Sequence, residues 1–190
     1  MIVVDQRTFV QGRPAGFGTA GEGMPVVLLH GQADLAWSMD PIARRLADRF
    51  RVVSMDMRGH GESSHPGGYS LMDFIGDLRG VIDQLGLDRP VIVGHSLGGQ
   101  VAAQFSGLFP EVPRALVVAE GIGPPVRMSG TGAAQRLARA RGAVLLTTQP
   151  LRSRPMDDVA EAVARLRSAH PGLDVGRAAF PAEVATRALP

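Results

Sequence analysis

Apolar and polar positions alternate along the first two thirds of this chain in two periods, and the switches between them outline a series of strands and helices. Residues 25–29 (Pro-Val-Val-Leu-Leu), 51–55 (Arg-Val-Val-Ser-Met), 90–93 (Pro-Val-Ile-Val) and 114–119 are short apolar, β-branched runs of strand length. A further, edge-type strand is expected over residues 7–11, followed by a Gly-rich connection over 12–23. Helical spacing takes over between the strands. Pro41 suits a first helical turn, and Ile42, Leu46 and Phe50 recur on one face of a helix over 40–48. After Tyr69-Ser70, the residues Leu71, Phe74, Ile75, Leu78, Ile82 and Leu85 form one continuous stripe. A third helix runs from Gln100 until Phe109-Pro110 stops it.

Strand and helix in strict alternation predict an α/β fold, a mostly parallel sheet with helices on both faces. Ligand sites in such sheets lie beyond the carboxyl ends of the strands, where the loops after Leu29, Met55, Val93 and Ala119 gather. From about Thr131 only helical patterns remain. Leu137, Ala140 and Val144 share one, Met156, Val159, Val163 and Leu166 another, and a short one precedes Pro190. Residues 1–126 therefore read as an α/β core and residues 127–190 as a separate helical segment.

Composition narrows the class. The 190 residues are 45% hydrophobic and 20% charged, as in ordinary soluble globular proteins. Met1 to Arg7 carries an acid where a signal peptide needs an apolar run, and no segment reaches the length of a membrane span, so a cytoplasmic protein without membrane contact is expected. The absence of Cys excludes disulfides, thiolate metal sites and a Cys nucleophile. All 20 basic residues are Arg, which lifts the pI to about 10.3 although the formal charge is only +2. Residues 1–126 carry 10 Arg and 13 acids, residues 127–190 carry 10 Arg and 5 acids. The excess Arg lie on predicted helices as a solvated face, so no nucleic-acid partner is expected.

The most informative local pattern is Gly94-His95-Ser96-Leu97-Gly98, set between a buried strand and a helix. A Gly-x-Ser-x-Gly turn in that context mounts the Ser hydroxyl outward on a strained backbone, and it nominates Ser96 as a nucleophile over a structural turn Ser. Acyl transfer also needs oxyanion donors, a base and an acid. The donors would be the backbone N–H groups of Leu97, at the helix start, and of Gln32, after the tight turn at Gly31. His30, Gly31 and His95 are expected to line the substrate site.

Leu28-Leu29-His30-Gly31, then the run Asp56-Met57-Arg58-Gly59-His60-Gly61-Glu62-Ser63, then Gly94 to Gly99, in that order and spacing, resemble the α/β-hydrolase fold family. The resemblance covers roughly residues 7–124, and the helical tail resembles the start of the family's cap. It implies a serine hydrolase with Ser96 as nucleophile and Gln32 and Leu97 as oxyanion donors, acting on an ester, lactone or related acyl bond of a small molecule without metal or organic cofactor. His30, His60 and Arg58 match positions that shape the site.

Members of the family follow the cap with two strands that bear the acid and a catalytic His, and these are expected to be missing, the sheet being incomplete at its C-terminal end. His170 stands where a helix stops before Pro171-Gly172 and reads as a helix-end His. His95 is expected to point away from Ser96, and His60 and His65 are weaker replacement bases. Glu120, ending the strand after the Ser96 helix, is a candidate acid, with an exposed carboxylate as the plain alternative. Asp56 is expected to pair with Arg58 or to cap loop amides. The competing functional reading is a truncated, non-catalytic homologue that binds a ligand or self-associates through the open sheet edge. Two further patterns carry little weight. Gly16-Phe17-Gly18-Thr19-Ala20-Gly21 neither follows a clear strand nor opens a helix, which argues against a dinucleotide site. His30 and His60 with Asp34 or Asp56 match no metal-ligand spacing.

Overall fold

The computed structural model of the chain describes residues 6–10, 13–121, 132–135, 137–138, 141 and 158–169. The chain divides into two compact units, Met1–Ile122 and Gly123–Pro190. Strands β1 (Gln6–Val10), β2 (Arg13–Ala20), β3 (Met24–Leu29), β4 (Phe50–Met55), β5 (Val91–His95) and β6 (Ala115–Ala119) form one sheet in the order β1-β2-β4-β3-β5-β6. β1 and β2 are antiparallel to each other, and β2 is antiparallel to β4. The strands β4, β3, β5 and β6 are parallel, so the carboxyl ends of all four share one edge.

The expected Gly-rich connection over 12–23 is, for most of its length, strand β2. Its glycines offer no apolar stripe to read, yet Phe17 aligns with Gln6 on one side and with Met55 on the other. Backbone pairing on both edges makes the strand where side-chain pattern does not. The Gly-x-Gly-x-x-Gly match over 16–21 lies in β2 and the turn after it, which removes the strand–turn–helix setting a dinucleotide site requires.

Alternation along the strands divides the core between the two faces of the sheet. Val27, Leu29, Val53, Met55 and Ile92 pack with helix α2 (Leu71–Gln84) and helix α3 (Leu97–Leu108), through Phe74, Ile75, Leu78, Val81, Ile82, Val101, Ala102 and Phe105. Val26, Leu28 and Val52 face the other way, onto Met39 and Ala43. Those two residues belong to a 3-10 turn (Ala36–Met39) and helix α1 (Asp40–Leu46). Of the expected face, Leu46 and Phe50 pack against this cluster, whereas Ile42 is 44% exposed and Met39 and Ala43 supply the buried contacts. Edge strand β6 leaves Leu116 and Val117 exposed.

In the second unit, residues 133–135, 137–138 and 141 are helical, and helix α4 spans Val159–Ala169 with an Arg165–Glu161 ion pair one turn apart. Leu137, expected on an apolar stripe, is exposed. The short helix expected before Pro190 lies outside the described residues. No helix among the described residues is long and apolar enough to cross a membrane.

Helix α2 starts with a complete capping box: Ser70 Oγ accepts from the Asp73 N–H and the Asp73 carboxylate accepts from the Ser70 N–H. Removing it by Ser70→Ala is expected to cost about 1 kcal/mol. Thermal unfolding should register this as a fall in Tm of about 2–4 °C.

Candidate active site

At the shared carboxyl edge, the turn from β5 into α3 holds Ser96 at φ 50° and ψ −111°, outside the regions an L-residue normally occupies. Its N–H donates to the Ala119 carbonyl at the end of β6 (3.1 Å), and its carbonyl accepts from the Gln100 N–H (3.1 Å). The neighbouring backbones come too close for side chains. A Cβ at Gly94 would fall on the Gly98 carbonyl, one at Gly98 on the Leu29 carbonyl, and one at Gly121 on the carbonyl of Ser96 itself. Helix α3 thus begins in direct backbone contact with the ends of β3 and β5. The Gly98 N–H donates to the His30 carbonyl (3.1 Å), leaving the Leu97 N–H as the first amide of the helix.

The loop after β3 passes alongside. A Cβ at Gly31 would lie 3.0 Å from His95 Nδ1 and 3.4 Å from Ser96 Cβ. His95 Nδ1 and Ser96 Cβ thus both lie against Gly31. Gln32 and Ala33 are exposed, and Ala33 takes a left-handed φ of 58°.

His30, expected to line the substrate site, is fully buried. Its Nε2 accepts from the Met57 N–H (2.9 Å), so Nδ1 carries the proton and donates to the Gly31 carbonyl (2.7 Å). Both nitrogens are used in tying β3 to the loop after β4. Burial drives its pKa down to about 4, with the Gly31 bond opposing. His60 stacks edge-on against it at 5.0 Å between ring centres. Its Nε2 accepts from the Ala33 N–H (3.2 Å), and its Nδ1–H donates to the Arg58 carbonyl (3.0 Å).

Of the two alternatives for Asp56, the structure shows the amide cap. Its carboxylate accepts from Ala36 N–H (2.8 Å) and Glu62 N–H (3.0 Å), and burial raises its pKa against the pull of those bonds. Arg58 pairs elsewhere. Its buried guanidinium makes a two-pronged contact with Asp77 of α2, through Nε at 2.5 Å and Nη2 at 2.7 Å, and reaches the Gly68 carbonyl and Asp73 at 3.1 Å each. The Asp77 bond is the main reason that the Arg58 pKa is raised. Ser63 closes the loop by donating to the Asp56 carbonyl and accepting from the Gly16 N–H (2.9 Å) of β2. Ser63 closes the motif quoted from the sequence, whereas Asp77 went unremarked there. An acid at 77 inside the stripe Phe74, Ile75, Leu78, Val81 was the signal that a buried cation lay opposite.

Glu120 follows the last residue of β6, exposed and at φ 68°. His65 is exposed, and His170 lies outside the described residues. Among the described residues no group of three or more His, Asp or Glu is placed to hold a metal ion.

Two solution measurements follow from these contacts. His30 has a folded pKa below its unfolded 6.5, so the unfolded chain binds the extra proton between pH 6.5 and about 4. Its contribution, about 3 kcal/mol, is present above pH 6.5 and is lost as pH falls through that window. Asp56, with its pKa raised, acts in the opposite sense above pH 3.8. Urea titrations across this range should therefore show a slope in stability that flattens in His30→Gln, which has no proton to gain. Asp77→Ala strands a buried guanidinium, and its equilibrium denaturation should reveal a loss of about 3 kcal/mol.

The model of the family described as alpha/beta hydrolase fold matches residues 24–171. A human serine hydrolase-like protein is 42% identical over 100 residues, which are 51% of this chain and 49% of that protein. The 2-(acetamidomethylene)succinate hydrolase of Mesorhizobium japonicum is 34% identical over 98 residues, 51% of this chain and 35% of that protein. Among solved structures, E-2-(acetamidomethylene)succinate hydrolase superposes with a TM-score of 0.74 at 26% identity, covering 94% of this chain and 63% of that one. The matched stretches thus span a third to a half of the curated relatives' lengths. With its sheet order, its Ser96 turn and the matching family model, the chain belongs to the α/β hydrolase fold family.

Proposed function

We propose that the protein is a serine hydrolase cleaving an ester, lactone or related acyl bond of a small, partly apolar molecule. The observation that carries this reading is the strained φ of Ser96, held between backbones that tolerate no Cβ. Ser96 Oγ adds to the acyl carbon, and the carbonyl oxygen takes up the negative charge facing the Leu97 and Gln32 N–H groups. Collapse of that adduct breaks the acyl C–O bond, the departing alkoxide leaves as the alcohol with the proton given up by the Ser96 hydroxyl, and water then hydrolyses the acyl-enzyme to the acid and free Ser96. Relatives named as hydrolases support the class of reaction.

His30 and His60 do not serve as the base, since the Nε2 lone pair of each already accepts an amide N–H. That commitment favours a second reading, a ligand-binding homologue without turnover that pairs with a second copy along the apolar edge of β6. The two readings part on chemistry at Ser96. A fluorophosphonate should label the folded protein once, and Ser96→Ala should abolish labelling. Unlabelled wild type, or labelling that survives in Ser96→Ala, would overturn the hydrolase reading. Labelling without turnover of any activated ester, together with a dimer in light scattering, would favour the second.

A further inference from the structure

We infer that His60 is a positioning residue for the oxyanion site, acting as a neutral strut that sets the direction of the Gln32 N–H. This rests on the reading of Ser96 and Gln32 given above. The Gly31–Gln32 peptide is planar, so its carbonyl and its N–H point to opposite sides. His30 Nδ1–H holds that carbonyl at 2.7 Å, which turns the Gln32 N–H away from the His30 ring. One anchor leaves the far side of Gln32 free to rotate. The second is the next amide along, Ala33 N–H, which donates to His60 Nε2 at 3.2 Å. With the peptides on both sides pinned, the two soft dihedrals of Gln32 are confined.

The strut is itself braced at its other end. His60 Nδ1–H donates to the Arg58 carbonyl, and the His60 N–H donates to the Met57 carbonyl, both at 3.0 Å. Arg58 is tied in turn to Asp77 of α2. A bond to Ala33 accordingly refers the loop after β3 to the body of the domain. The left-handed φ of 58° at Ala33, a non-glycine, is the kind of backbone state that persists only where neighbours over-determine it. Both Ala33 and Gln32 are exposed and His60 is only half-buried, so the strut lies outside the apolar core.

The test compares His60→Leu, which removes the acceptor, with His60→Gln, whose side-chain carbonyl can still accept from Ala33. Fluorophosphonate labelling of Ser96 is followed for rate and affinity separately, and amide hydrogen exchange is followed at Gln32 and Ala33. In His60→Leu the maximal labelling rate should fall by about 10-fold or more, with affinity changed less than about 2-fold, a loss below that for deleting an oxyanion donor outright. The Ala33 amide should exchange faster. In His60→Gln both should return to within about 3-fold of wild type. Labelling and Ala33 exchange in His60→Leu that match wild type would overturn the inference, as would a His60→Gln variant no better than His60→Leu. Wild type that fails to label at all would instead defeat the hydrolase reading.

Discussion

Backbone-to-backbone contact at the carboxyl edge of the sheet is the constraint on which the rest of this structure depends. Where β3, β5 and β6 end and α3 begins, three glycines bring carbonyls to distances at which a single methyl group would overlap them. Only with those side chains absent can the helix seat directly on the strand ends. Ser96 is carried along in that geometry, in a conformation it would not choose in isolation. Its hydrogen bond to the end of β6 and the Gly98 bond to His30 record the same closeness from the polar side.

Around this rigid turn, the loops after β3 and β4 are held by side chains that are polar and mostly buried. Each is satisfied within the protein. Asp56 gathers two amides, His30 bridges Met57 to Gly31, Ser63 reaches β2, and Arg58 fastens the loop to α2 through Asp77. Buried groups of this kind add modestly to stability when paired and cost heavily when a partner is lost. Their effect here is to give two irregular segments one arrangement. The two imidazoles fit that role because, neutral, each offers one donor and one acceptor to opposite neighbours.

Much of this was legible along the chain. The four parallel strands, the stripe of α2 and the Gly-x-Ser-x-Gly turn each announced themselves through period or spacing, since burial of one face repeats at two residues in a strand and three to four in a helix. β2 was not legible. Its Gly-rich stretch has no apolar alternation, and its pairing comes from strands β1 and β4, the latter more than thirty residues away. The stripe of α1 was legible only in part: Leu46 packs on the sheet-side cluster as its spacing suggested, while Ala43, and not Ile42, is buried beside Met39.

By itself the sequence determined the parallel α/β class, the family resemblance and the mounting of Ser96, all of which follow from local pattern and from glycines at stated spacings. Tertiary structure alone decided which polar side chains meet. That Arg58 takes Asp77 and leaves Asp56 to the amides, that His30 is buried against Met57, and that His95 shares Gly31 with Ser96 depend on distances between segments far apart in the chain. Hydrogen bonds are specific in direction and short in reach, so their partners are chosen only after packing has brought the loops together.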